Sequence, residues 1–191
     1  MLKTTITIAM IGTALLAGCS ETVGPVRYPV PAVEATQNVR IPYRTVEVRQ
    51  VSLPAYAELS EMSIETPDGG IETTATVLWA DNPVRSVTLE LSRSLGQITG
   101  ATVASEPWPF DDYADARVEV RVEEMLTDAQ NRFKLSGQYF VGSTDGSNRT
   151  RARVFALTVP LAQGTGPKSM AAARGQIIAD LALLIAKDGL K

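Results

Sequence analysis

The chain has a single cysteine and no histidine among its 191 residues. It therefore forms no internal disulfide, and it lacks the clustered cysteine and histidine ligands of most zinc sites. Its fold must be held by an apolar core, for which 45% hydrophobic and 20% charged residues are sufficient. The absence of histidine also removes Ser-His-Asp and Cys-His catalysis. These limits favour a binding or scaffolding protein over an enzyme and predict neither a cofactor nor a metal.

The one cysteine, Cys19, follows a segment that has the features of a secretory signal peptide. Lys3 supplies a positive charge, and residues 6–16 form an uncharged apolar run. The run is shorter than the roughly 20 apolar residues of a spanning helix, and it has the length of a signal-peptide core. Residues 16–19 (LAGC) have the form of a bacterial lipobox. We therefore predict cleavage before Cys19 and its acylation, including palmitate, while Ser20 indicates the outer membrane.

The sequence divides into three predicted parts. Residues 1–18 are the signal peptide, residues 19–42 an acylated N-terminus with an extended tether, and residues 43–191 one folded domain. The tether is rich in proline and shows no helical period, which favours an extended chain. The net charge of −3 argues against a nucleic-acid partner, because phosphate contacts need clustered Lys and Arg.

Hydrophobic periodicity predicts an α+β fold. Alternating apolar residues and turn signals predict strands over residues 44–53, 62–66, 71–79, 102–105, 118–122, 134–142 and 150–159. A helix is expected from Asn82 and Pro83 to near Gly100, and an alanine-rich helix over residues 167–187. The expected architecture is a mostly antiparallel sheet with two amphipathic helices packed on one face.

Several parts of the sequence share a pattern with a known family. A strand ends in residues 53–56 (LPAY), residues 79–83 (WADNP) precede the first helix, and residues 106–109 (EPWP) follow it. Over nearly all of residues 44–187 the chain resembles the PqiC-type (YmbA) auxiliary lipoproteins of ABC transporters. These proteins work with MCE-domain proteins in lipid traffic across the Gram-negative envelope. The resemblance implies an outer-membrane lipoprotein that faces the periplasm and receives the end of an MCE-protein tunnel.

Two functions from different classes are compatible with these observations. In the first, the protein anchors or caps the periplasmic tunnel at the outer membrane and contacts the outer-membrane lipids through acylated Cys19. In the second, it is a periplasmic lipid carrier that holds an acyl chain between sheet and helices, which requires an apolar cavity of roughly 300–1,000 Å³. A hydrolase is a third alternative, but the sequence has no recognisable base and nucleophile pair.

Two segments are candidate partner contacts. Trp108 and Phe110 lie in a proline-held loop that either exposes apolar surface to a partner or covers the edge of the core. Arg149, Arg151 and Arg153 alternate along one strand, where they either bind an acidic partner or headgroups or simply face solvent. Because an MCE tunnel is cyclic, the two segments also suggest a homo-oligomeric ring.

Other motifs have simpler interpretations. Asp111, Asp112 and Asp115 lack the spacing of a calcium loop and are expected to form a solvated acidic turn. Asn148 begins a glycosylation pattern, which we interpret as a turn. Residues 79–83 either contact a partner or place Trp79 beneath the first helix.

Overall fold

A computed structural model describes residues 24–144, 146, 149–162 and 166–191. The predicted lipidation site Cys19 and the predicted turn residue Asn148 lie outside the described residues. The strands are β1 Val26–Tyr28, β2 Thr45–Val48, β3 Glu61–Glu65, β4 Ile71–Trp79, β5 Thr102–Ser105, β6 Ala116–Thr127, β7 Arg132–Ser143 and β8 Thr150–Pro160. The helices are α1 Ala55–Glu58, α2 Pro83–Thr99 and α3 Pro167–Leu184, and a π-helical turn, Ile185–Gly189, follows α3.

The eight strands form one mixed sheet organised around β6. On one side β6 pairs antiparallel with β7, which pairs antiparallel with β8, as the predicted meander requires. On the other side β6 pairs with β2 and β3, both in parallel orientation. β5 extends the sheet beyond β2, while β4 and then β1 extend it beyond β3. The α+β class is confirmed. The long strand pairs are antiparallel, and the short strand pairs are mostly parallel.

Helix α2 begins and ends as its sequence predicts. The Asn82 side-chain oxygen accepts a hydrogen bond from the Arg85 N–H at 3.0 Å, and Pro83 occupies the first helical position. Gly100 ends the helix in the left-handed conformation, which a glycine adopts without steric cost. Most of the predicted apolar face is buried, namely Val87, Leu91, Leu95 and Ile98.

Helix α3 is the second predicted helix, and it lies against α2 and the sheet. Gly166 is its N-cap and Pro167 its first residue. With the π-helical turn it is long and apolar enough to cross a membrane, but most of this stretch is buried within the domain. It is therefore a core helix, and its centre carries one charged residue, Arg174, that is fully buried.

The chain before β2 lies against the domain from residue 26 onward, and we call residues 26–43 the N-terminal strap. Strand β1 pairs in parallel with the end of β4, so that Tyr28 lies opposite Trp79. The strap then crosses α3 at Gly175, where an added Cβ would lie 2.7 Å from the Pro31 carbonyl oxygen. Further along, the Val39 N–H donates to the Ile98 carbonyl at 2.8 Å. The strap thus spans both long helices.

Candidate functional site

The two helices are joined beneath the strap by a buried ion pair. Arg174 of α3 is 0% exposed, and its Nη2 donates to Glu90 Oε1 of α2 at 3.2 Å and to the Ser86 hydroxyl. The guanidinium carbon also lies 4.6 Å from the centre of the Trp79 ring, a cation–π geometry. Within the described residues, Arg174 Nε and Nη1 and Glu90 Oε2 have no hydrogen-bond partner. The pair is therefore desolvated and incompletely satisfied.

Burial determines the electrostatics of this pair. It raises the pKa of Glu90, and this effect outweighs the attraction of Arg174 and Arg93. Burial also lowers the pKa of Arg174, although Glu90 and Asp81 act in the opposite direction. Removing one member would leave a buried group without its counter-charge, which is the costly case for such pairs.

A small cleft lies beside the ion pair. It has a volume of about 230 Å³ and opens to solvent between the strap, the end of β4 and both long helices. Its apolar lining includes Pro29, Val30 and Leu89, and its charged lining includes Asp81 and Arg93 in addition to the pair. The cleft is smaller than the 300–1,000 Å³ typical of ligand pockets.

The space between the sheet and the helices is filled by side chains. Residues from both layers are 0% exposed, and any void that admitted water would expose its lining. These residues are Val87, Leu91, Leu95, Val118, Leu135, Ile177 and Ile185. Among the residues that the structure describes, the apolar cavity that the carrier alternative requires is therefore not formed between the sheet and the helices.

Trp79 is a core residue. It is 3% exposed, and its ring contacts Phe133 edge to face with centroids 6.4 Å apart. Its ring also lies against Arg174 of α3, so Trp79 is buried in the core and little of its surface is left for a partner.

The loop with Trp108 and Phe110 leaves the sheet directly after β5. The Glu106–Pro107 peptide bond is cis, and Glu106 forms an ion pair with Arg49 at 3.2 Å. Trp108 is half-buried and packs edge to face on Phe110, with centroids 5.0 Å apart, while Phe110 is 51% exposed. Trp108 Nε1 is buried and unpartnered within the described residues. The loop therefore exposes part of an aromatic pair at a sheet edge.

The acidic residues after this loop lie in different environments. Asp111 and Asp112 are exposed. Asp115 instead accepts hydrogen bonds from the backbone N–H groups of Arg44 and Thr45 at 2.8 and 3.1 Å, which fixes the start of β2. The described part of the chain contains no group of acidic, cysteine or histidine side chains that could hold a metal ion.

The three arginines lie on or beside the edge strand β8 and are exposed. Arg153 lies opposite Tyr139 in the register of β7 and β8, and Arg151 opposite Val141. Because Tyr139 and Val141 are buried beneath the helices, the arginines of β8 point to the helix-bearing side of the sheet. Arg153 Nε contacts Asp188 at 3.1 Å, and the Tyr139 hydroxyl donates to the same carboxylate at 2.7 Å. This hydrogen bond lowers the pKa of Asp188.

Sequence reasoning did not identify Arg174 or Glu90. Arg174 lies on the apolar face of α3 with Met170 and Ile177, but a single charge hardly changes that pattern. Glu90 borders the apolar face of α2, and its pairing with Arg174, 84 positions away, has no local signal in the sequence.

These features define a class of protein: a two-layer α+β domain with helices on one face and an extended N-terminal segment. The family described as the ABC-type transport auxiliary lipoprotein component matches residues 28–186. The chain belongs to this family, which confirms the resemblance found in the sequence. Membership implies a membrane-anchored protein and a transporter partner.

Solved structures share this fold. One crystal structure of an uncharacterized protein is 22% identical, with a TM-score of 0.70 over 86% of this chain and 98% of that chain. A protein from Xanthomonas campestris, assigned to family DUF330, is 12% identical, with a TM-score of 0.65 over 84% of this chain and 92% of that chain. At these identities the similarity shows the fold alone. No curated protein sequence matches the chain.

Proposed function

We propose that this protein is the outer-membrane lipoprotein subunit of an MCE/ABC-type lipid-transport system. It anchors or caps the periplasmic tunnel at the outer membrane. The observation that carries the proposal is the match to the transport auxiliary lipoprotein family over residues 28–186. The lipobox before Cys19 and the filled interior of the domain support it, because they favour anchoring and docking over carriage of a lipid.

The anchor is the acylated Cys19, and Ser20 directs the protein to the outer membrane. Two acyl chains give stable attachment, because each buried methylene contributes about 0.8 kcal/mol. Mass spectrometry of protein from envelopes should find Cys19 acylated, and density fractionation should place the protein with the outer membrane. A Cys19→Ser variant should remain an unacylated precursor. Unmodified Cys19 in the wild-type protein would refute the anchor, and wild-type protein in the inner-membrane fraction would refute the location.

The partner contacts are the loop with Trp108 and Phe110 and the sheet edge with Arg149, Arg151 and Arg153. They lie at different edges of the sheet, since β5 and β8 are separated by β2, β6 and β7. A ring needs two such different surfaces on each subunit. The arginines of one subunit then face acidic residues of the next, and salt weakens this contact because exposed charges are screened within about 8–10 Å.

Native mass spectrometry of the mature, acyl-free chain tests the ring. We expect oligomers that dissociate at high salt and are lost in Trp108→Ala, with its circular dichroism unchanged. Tyr113→Ala is a matched control, since Tyr113 is 87% exposed in the same stretch but lies outside the Trp108–Phe110 contact. A strict monomer that stays monomeric when the MCE protein is added would refute the ring.

A further inference from the structure

The number of residues between Cys19 and strand β1 limits how far the domain can stand from a membrane that holds Cys19. Strand β1 holds the chain from Val26 onward, so that residues 20–25 alone separate Cys19 from the folded domain. We propose that the β3–β4 hairpin lies against the phospholipid headgroups of the membrane that holds Cys19. This proposal depends on the lipid anchor proposed above. The surface it fits is a zwitterionic headgroup layer.

The strap is held at several points along its length. The β1 register places Val26 opposite Val77, and the Tyr28 carbonyl accepts from the Ala80 N–H at 3.0 Å. Gly175 leaves room for the Pro31 carbonyl on α3. Near its other end, Lys187 Nζ donates to Gln37 Oε1 at 2.6 Å. Moving the domain further from the anchored Cys19 would first require β1 to leave β4, and then the contacts further along the strap to break.

The reach of the chain between Cys19 and Val26 is similar to the length of β4 between Val77 and the hairpin turn. The seven steps from Cys19 to Val26 span at most about 23–25 Å when fully extended. Strands β1 and β4 are parallel, so that the start of β1 points towards the turn that joins β3 to β4. From Val77 back to Ile71, the first residue of β4, the distance along the strand is about 20 Å at the usual rise. The hairpin turn and the anchored cysteine can therefore reach the same plane.

The chemistry of the hairpin selects the type of lipid surface. Ile64 and Ile71 are 40% and 45% exposed. Residues 61–76 contain Glu61, Glu65, Asp68 and Glu72 but no lysine or arginine. An acidic segment is repelled by anionic lipids, which attract basic segments instead. The hairpin is thus suited to rest on a zwitterionic layer rather than to bind anionic headgroups.

The single cysteine allows a direct test with the mature chain. Its Cys19 thiol is coupled to a maleimide lipid in phosphatidylcholine vesicles that contain brominated acyl chains, which quench tryptophan near the bilayer. The Ile71→Trp variant should lose more emission than the parent, whereas Val154→Trp should not. Val154 is the matched control, since it is 77% exposed on the edge strand β8. Equal quenching of the two variants, or no added quenching of Ile71→Trp, would overturn the proposal.

A second variant tests the role of chain length. An insertion of about twelve Gly/Ser residues between Gly24 and Pro25 adds flexible reach and should abolish the extra quenching of Ile71→Trp. Persistence of the quenching after this insertion would refute a position set by the short linker. Because the anchor is attached chemically, the test is independent of acylation in the cell. The proposed acylation of Cys19 is tested separately, by mass spectrometry of protein from envelopes.

Discussion

The arginines of this domain occupy two contrasting environments. Arg174 is fully buried between α2 and α3, where it meets Glu90, Ser86 and the Trp79 ring. Arg153 on β8 is half-exposed and meets Asp188 at the sheet edge. A buried pair is costly to break, whereas exposed pairs contribute little. The helix layer under the strap therefore carries stability, whereas the ion pair at the β8 edge contributes little to it.

The largest expected effect is the loss of the buried counter-charge. Glu90→Leu leaves Arg174 buried without its carboxylate and should lower the free energy of unfolding by about 3–5 kcal/mol. The double variant Glu90→Leu/Arg174→Met should recover most of this loss, because both charges are then removed. Urea unfolding of the wild type, the single variant and the double variant measures these free energies of unfolding. A Glu90→Leu protein as stable as the wild type would show that the pair does not support the helix layer.

A smaller effect follows from pH. Since the pKa of Glu90 is raised in the folded state, the folded protein binds this proton more tightly than the unfolded chain. Its contribution to stability is present below the ordinary glutamate pKa of about 4.3 and is lost as pH rises through the folded pKa. Relative to Glu90→Gln, the wild type should lose stability with rising pH. A relative gain, measured by unfolding at several pH values, would contradict the raised pKa.

The strap contact can be broken at a glycine. Gly175→Ala brings a Cβ within 2.7 Å of the Pro31 carbonyl and should destabilise the protein by about 1–3 kcal/mol through overpacking. Gly96→Ala is a matched control in α2, where the added atom meets nothing closer than 3.8 Å and should stabilise the helix. Limited proteolysis should cleave the strap of Gly175→Ala first. Equal cleavage of the two variants would show that the strap is not held there.

The exposed pair should have the smallest effect on stability. Arg153→Ala removes a contact at the sheet edge and should change the free energy of unfolding by about 0–1 kcal/mol. The same variant should weaken assembly if β8 is a contact surface. A large loss of stability in urea, comparable to that of Glu90→Leu, would remove the contrast between the two regions.

The sequence predicted the elements whose patterns are local. Helix α2 was predictable from Asn82, Pro83 and Gly100, and the β6–β8 meander from alternating residues and turns. The parallel pairing of β1 with β4 was not predictable, because the three residues of β1 carry no periodic signal. The docking of the strap depends on Gly175, whose role appears only when α3 and the strap are brought together.

The candidate sites differ in the same way. Arg149, Arg151 and Arg153 were visible as a run of charges with a period of two. Arg174 was hidden in an alanine-rich helix, where a single charge hardly changes the apolar pattern. Its pairing with Glu90 connects residues 84 positions apart, and no local spacing encodes that contact.

The proposed partnership joins a lipid-anchored subunit to the tunnel protein of a lipid transporter. Affinity purification of the full chain from detergent-solubilised envelopes, followed by mass spectrometry, tests it most directly. We expect an N-terminal peptide that begins at acylated Cys19, together with an MCE-domain protein. The Trp108→Ala variant should lose the MCE-domain protein, and Tyr113→Ala should retain it. Recovery of the acylated chain without any MCE-domain protein would contradict the proposed partnership.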